Sequence, residues 1–208
     1  RLRAALHPVT EAEILPTETA AGHILAEEAV AVRANPPAAN SAVDGYGFCA
    51  AALEGQGPYR LPLFEGRAAA GQPFEAAVPH GAALRILTGA MLPEGVDRSV
   101  LEEGTALDGA AVVFDGPLRA GANARSMGED MAAGAVALPK GQYLRAPDIA
   151  LLCALGVPSV RTFRPLRVGV LSTGDEIIRG PGSPAQRHQI WDANSPMLLS
   201  MIADWKHL

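Results

Sequence analysis

Between residues 40 and about 130 the sequence is cut into short apolar runs by turn-forming residues, and this punctuation points to a small β domain. The runs are Leu84–Leu87, Val96–Leu101 and Ala111–Phe114, divided by Pro93-Glu94-Gly95, Asp108-Gly109 and Asp115-Gly116. Short β-prone stretches bounded by Gly and Asp read as strands joined by tight turns. Asp108-Gly109, lying between Ala106-Leu107 and Ala110–Val113, predicts a hairpin.

The flanks are patterned differently. From Thr10 to Val32 helical signals dominate. Thr10 and Glu13 have capping-box spacing, Pro16 ends or kinks what starts there, and Ala20–Ala31 is predicted as a helix with Ile24, Leu25 and Ala29 on one side. A break follows at Pro36-Pro37. Farther on, Pro147 stands in a first helical turn. Ile149, Leu151, Leu152 and Leu155 form the apolar side, and Gly156 and Pro158 close the helix. Arg167–Ser172 is predicted as a buried strand running into Thr173-Gly174-Asp175-Glu176. Asn194 or Ser195 caps a last helix, with Pro196 at its first position and Leu198, Met201, Ile202 and Trp205 at helical spacing. Strand, loop and helix open an α/β domain. One strand and one helix cannot bury their own faces, so this stretch calls for further chain or a partner. The chain begins with Arg1 and stops inside an amphipathic pattern, which predicts a fragment.

With 208 residues, 49% apolar and 19% charged, the composition is globular and sufficient for one large or two small domains. A net charge of −5 without a Lys/Arg-rich stretch argues against a nucleic-acid surface. Apolar runs such as Val168–Leu171 fall far short of the ~20 residues that cross a bilayer. Cys49 and Cys153 lie far apart and outside any CxxC, and no secretory apolar segment opens the chain, which together suggest a reduced, cytosolic protein.

Most catalytic signatures are absent. Gly180–Ala185 fits GxGxxA but lacks the preceding strand and following helix of a dinucleotide site, within a Pro/Gly-rich loop at 179–187. There is no GK[ST] and no GxSxG, and the five histidines (7, 23, 80, 188, 207) are scattered, which argues against zinc. What remains is a set of carboxylates beside glycines: Asp44, Glu129, Asp130, Asp175 and Glu176. Read alone, they are either ordinary turn composition or a cleft for Mg²⁺ or an oxyanion.

At these residues the sequence resembles the molybdopterin molybdenumtransferases, the MoeA/gephyrin family of molybdenum cofactor biosynthesis. Asn40–Gly47 (NSAVDGYG), Ala70–Pro73 (AGQP), Arg85–Pro93 (RILTGAMLP), Asn123–Asp130 (NARSMGED), Leu171–Ile177 (LSTGDEI) and Gln189–Ser195 (QIWDANS) match family segments in the right order. Ala38-Ala39, Val43, Gly47, Ser126 and Met127 depart from it, and glycine-rich GGVS-like and PGNP-like segments do not follow. The resemblance implies a multidomain α+β protein. Its parts are an elongated, helix-containing domain from residues 1–39 and 131–163, an inserted small β domain from 40–130, and the start of an α/β molybdopterin-binding domain from 164–208. It implies a cytoplasmic homodimer with no membrane or nucleic-acid partner. The implied reaction inserts molybdenum from molybdate into adenylylated molybdopterin, with Mg²⁺, releasing AMP. The 208-residue piece alone is expected to be inactive. By motif, Asp44, Thr88, Asp130 and Glu176 are the implied catalytic residues, Asp44 and Asp130 the implied Mg²⁺ ligands, and Ser172, Thr173, Gly174 and Asp175 the implied pterin-nucleotide contacts. The alternatives are a non-catalytic, gephyrin-like scaffold and a tungsten-inserting paralogue.

Overall fold

A computed structural model describes residues 10–116, 118–119 and 121–205. His7, His207 and the side chain of Trp205 lie outside the described residues. The protein is a mixed α/β chain with two compact units, Arg1–Val30 with Val136–Leu208, and Ala31–Ala135. These borders differ from the expected 39/40 and 130/131, and residues 164–208 group with the first unit. The reason lies in pairing beyond the motif: Ala31 N–H donates to Ala135 O (2.9 Å) and Gly134 N–H to Ala31 O (2.8 Å). The segments entering and leaving the β unit are thereby bonded to each other.

The first unit opens with strand β1 (Ala12–Pro16), a 3-10 turn (Thr17–Thr19) and strand β2 (Ala29–Val30). The helix predicted over 20–31 is not formed. Gly22 sits at φ +83°, and Ile24 and Leu25 bridge Tyr143 and Thr162. Leu25 is buried by that contact. Its apolar spacing mimics a helical stripe, but extended pairing with the far end of the chain overrides local propensity.

The second unit carries β3 (Asn40–Ser41), β4 (Gly45–Phe48), β5 (Tyr59–Ala68), β6 (Ala83–Ile86), β7 (Arg98–Leu101), β8 (Thr105–Asp108), β9 (Ala111–Phe114) and β10 (Ala124–Arg125). Six of them form one sheet in the order β7-β4-β6-β5-β9-β8, antiparallel except for β5 and β6. The predicted hairpin is β8–β9: Asp108 pairs with Ala111, and Gly109 takes φ +60° in the two-residue turn. β4 reads GYGF. Tyr46 and Phe48 pack with Tyr59, Leu61, Val100, Val112 and Phe114, with the Phe48 and Phe114 rings 5.0 Å apart. Burying each large apolar side chain contributes roughly 1.5–3 kcal/mol. A second cluster holds Leu84 and Ile86 with Ala68, Val78 and Ala90. The glycines of β4 are steric necessities: a Cβ on Gly47 would lie 2.8 Å from Val96 Cγ1, and one on Gly45 only 1.8 Å from Val100 O.

The chain then returns to the first unit. Strand β11 (Val136–Leu138) pairs antiparallel with β2, and β12 (Ser159–Phe163) pairs antiparallel with β1 over five residues. Helix α1 (Ala146–Ala154) forms as its sequence signals predict. The Asp148 carboxylate accepts from Arg145 N–H (2.8 Å), Pro147 sits in the first turn, and Gly156 follows the end at φ +72°. α1 packs on the 3-10 turn, where the buried Thr17 hydroxyl donates to Val157 O (2.7 Å). Strands β13 (Ile177–Ile178) and β14 (Ile190–Trp191) pair in parallel ahead of helix α2 (Asn194–Trp205). The strand predicted over 167–172 is absent. Val168 and Leu171 are exposed, and no neighbouring strand among the described residues bonds to this run. A β-prone run becomes a strand only with a ladder partner. Among the described residues no helix is long and apolar enough to cross a membrane, and Cys49 and Cys153 are free thiols.

Candidate functional site

Asp44 lies on the bend between β3 and β4, and Thr88 on the turn after β6. The Thr88 turn is stitched to β3: Gly89 N–H donates to Ser41 O (2.8 Å) and Ser41 N–H to Ala90 O (2.9 Å). Gly89 takes φ +79°, which an L side chain rarely adopts. The buried Ser41 hydroxyl donates to Val43 O (2.8 Å). The Ser99 hydroxyl oxygen, also buried, lies 3.1 Å away as an alternative acceptor, and the single Ser41 proton serves one of the two at a time. These bonds bring two segments distant in sequence face to face. Asp44 Oδ1 accepts from both the Thr88 amide (2.7 Å) and the Thr88 hydroxyl (2.8 Å). The Thr88 amide and then its hydroxyl, with a lesser contribution from the charge of Arg85, hold the Asp44 carboxyl below its ordinary pKa against the opposing effect of desolvation. Asp44 Oδ2 has no partner among the described residues.

Asp130 sits in a different arrangement. Arg125 donates to Asp130 Oδ1 (2.5 Å) and, through Nε, to Glu129 Oε1 (3.1 Å), while Ser126 N–H donates to Glu129 Oε2 (3.1 Å). Asp130, followed by Glu129, raises the Arg125 pKa and keeps the guanidinium charged. The β3–β10 ladder sets Asn40 opposite Arg125, so the Asp44 and Asp130 segments both grow from one short ladder. Among the described residues no hydrogen bond or ion pair joins Asp44 to Asp130.

The 172–176 segment belongs to the other compact unit. Thr173, Gly174, Asp175 and Glu176 are exposed. Gly174 takes φ +148°, which an L side chain rarely adopts, and the exposed Glu176 carboxylate folds over it. Ser172 is engaged within the chain. Its hydroxyl donates to Asp192 Oδ1 (3.1 Å) and lies 2.7 Å from the Ser195 hydroxyl, and Ser195 N–H also donates to Asp192 Oδ1 (2.9 Å). The Ser195 side chain and amide, with Ser172, lower the Asp192 pKa. Asp192 Oδ2 is buried without a partner. Asp192 and Arg85 are the polar residues at these sites that motif reading passed over. The Asp192-x-x-Ser195 spacing, a capping spacing at the start of α2, was the available signal.

Carboxylate oxygens suit Mg²⁺, which takes one or two of them and completes its shell with water and substrate oxygens. Asp44, with one oxygen held and one without a partner, fits that role. Asp130 likewise keeps Oδ2 without a partner among the described residues, but its Oδ1 is paired with the charged Arg125 guanidinium, which opposes a cation beside it. Among the described residues no group of three or more His, Cys, Asp or Glu is placed to hold a metal.

With this geometry in hand, comparison with known proteins is informative. A family profile described as "MoeA N-terminal region (domain I and II)" matches residues 1–156. The chain is 38% identical over 187 residues to the molybdopterin molybdenumtransferase of Haemophilus influenzae, covering 89% of this chain and 45% of that protein. It is 34% identical over 203 residues to molybdopterin molybdenumtransferase 2 of Mycobacterium tuberculosis, covering 96% and 49%. The crystal structure of the molybdopterin biosynthesis MoeA protein from Pyrococcus horikosii superposes with a TM-score of 0.85 at 30% identity, over 98% of this chain and 52% of that one. The chain spans about half the length of the curated relatives it matches.

Proposed function

The chain belongs to the MoeA N-terminal family, and from that premise we propose that its protein inserts molybdenum from molybdate into adenylylated molybdopterin, releasing AMP. The observation that carries this reading is the double hydrogen bond from Thr88 to Asp44, which joins the DGYG and TGA segments into one polar site. We read the protein as a cytoplasmic homodimer, with a β domain inserted into an elongated domain and an α/β molybdopterin-binding domain beginning near residue 164.

The chemistry sets a definite demand. Molybdate and the pterin phosphates are both anions, and their approach needs positive charge or hydrogen-bond donors at the point of contact. Mg²⁺, when bound, supplies that charge, and Asp44 Oδ2 would hold it. The chain's own residues do the rest. Thr88 stabilises the Asp44 carboxylate and fixes which of its oxygens is free. Arg125 holds Asp130 as a paired carboxylate, ready to orient water or substrate oxygens if the pair opens. Thr173, Gly174, Asp175 and Glu176 form an exposed turn on which a nucleotide can rest, with Gly174 allowing close backbone approach. Ser172 supports that turn through Asp192 and Ser195.

The test uses the protein expressed from its whole reading frame, supplied with molybdate, Mg²⁺ and adenylylated molybdopterin, with AMP release followed in time. Asp44→Ala and Glu176→Ala are each expected to slow release by at least about a hundredfold. Unchanged rates in both variants would overturn the assignment.

A further inference from the structure

Glu102 and Arg85 hold the carbonyls of two consecutive peptides, those of Asp44 and Gly45. Glu102 N–H donates to Asp44 O (3.0 Å). The Glu102 carboxylate accepts from Arg85 Nη2 (2.6 Å), and Arg85 Nη1 donates to Gly45 O (3.4 Å). The circuit closes on itself: Asp44 carbonyl, Glu102, Arg85, Gly45 carbonyl. Arg85 is set in place by register, since β6 lays it directly opposite Tyr46 on β4, and its guanidinium lies over the Tyr46 ring, 5.1 Å from the centroid. Gly45 leaves no slack, because Val100 O occupies the space where its Cβ would be.

An exposed ion pair adds little to stability, and both side chains retain solvent contact, Arg85 at 28% and Glu102 at 50%. What this pair does supply is geometry. The Asp44 and Gly45 carbonyls lie on the backbone that aims the Asp44 side chain: the Glu102 amide holds the first, and the Arg85 guanidinium reaches the second while its other arm grips the Glu102 carboxylate, a two-armed contact that a point charge cannot make.

We propose that Arg85, backed by Glu102, is a positioning residue for Asp44, holding the neighbouring Gly45 carbonyl so that the carboxylate meets Thr88 and presents its other oxygen to the reaction. The proposal rests on the reading that Asp44 acts in molybdenum transfer.

A double-mutant cycle tests it in the protein expressed from its whole reading frame, with single-turnover AMP release and thermal unfolding as readouts. Arg85→Gln is expected to slow release by about tenfold, from lost orientation, with the KM for adenylylated molybdopterin unchanged. Arg85→Lys is expected to recover part of that loss. In an Asp44→Asn background the Arg85→Gln effect is expected to vanish, because residues acting through one group are non-additive. A merely structural role predicts that the tenfold factor persists in that background, and this result, or full activity of Arg85→Gln, would overturn the proposal. Glu102→Gln, which leaves the guanidinium in place, carries the same test if Arg85→Gln does not fold: about threefold slowing alone and none beyond Asp44→Asn. Full activity of Asp44→Asn itself would overturn the underlying reading and the proposal with it, and that single variant distinguishes the two failures.

Discussion

Thr88 closes on one oxygen of Asp44 with two donors of different kinds, a backbone amide and its own hydroxyl. Replacing Thr88 by Val removes the hydroxyl and keeps the amide. The Asp44 pKa is then expected to rise toward the ordinary carboxylate range, read by carboxyl NMR titration. The sign of the stability effect follows. A depressed native pKa contributes stability that is present above the unfolded value and is lost as pH falls through the native one. The stability gap between wild type and Thr88→Val should therefore be open at neutral pH and close in acid.

The aromatic centre of the β unit gives a second expectation. Phe48 is fully buried and stacks on Phe114. Phe48→Ala is expected to destabilise the β unit by about 3–5 kcal/mol through lost transfer energy and a residual cavity. Denaturant unfolding followed by tyrosine fluorescence checks the value.

Gly45 and Gly109 separate two reasons for glycine. A methyl group at Gly45 collides with the Val100 carbonyl in the β4–β7 ladder, so Gly45→Ala is expected to unfold the sheet or abolish soluble expression. A methyl group at Gly109 meets nothing and faces only its φ of +60°. Gly109→Ala is expected to cost about 1 kcal/mol. Thermal melts of the two variants, side by side, check the contrast.

Chelation separates catalysis from folding. EDTA is expected to stop AMP release in the protein expressed from its whole reading frame, and added Mg²⁺ to restore it. The melting temperature should not move, because Asp44, the proposed ligand, stands on an exposed bend outside the apolar clusters of the β unit. A fall in melting temperature with EDTA would show a structural ion instead.

How far the residues disclosed this structure depended on how local the deciding interactions were. The β8–β9 hairpin and the α1 boundaries were legible because a two-residue turn, a first-turn Pro147 and Gly156 act within a few residues. Residues 20–31 were misread because the partners that make them extended, Tyr143 and Thr162, lie far along the chain. Arg167–Ser172 differs for the opposite reason, a strand-like composition with no strand among the described residues to pair with it. At the candidate site, the family resemblance names Asp44 and Thr88, which the fold joins by two hydrogen bonds. It passed over Arg85 and Glu102, whose part depends on cross-strand register and on a loop amide reaching a carbonyl.

The handshake between Ala31 and Ala135 has a consequence for synthesis on the ribosome. Strands β1 and β2 emerge first, yet their partners β12 and β11 are translated only after the entire inserted unit. The nascent amino-terminal segment must therefore wait unpaired while the β unit completes itself. Once that unit has closed, its adjoining entry and exit deliver Val30 and Val136 to each other, so the long loop no longer has to be searched as an open coil.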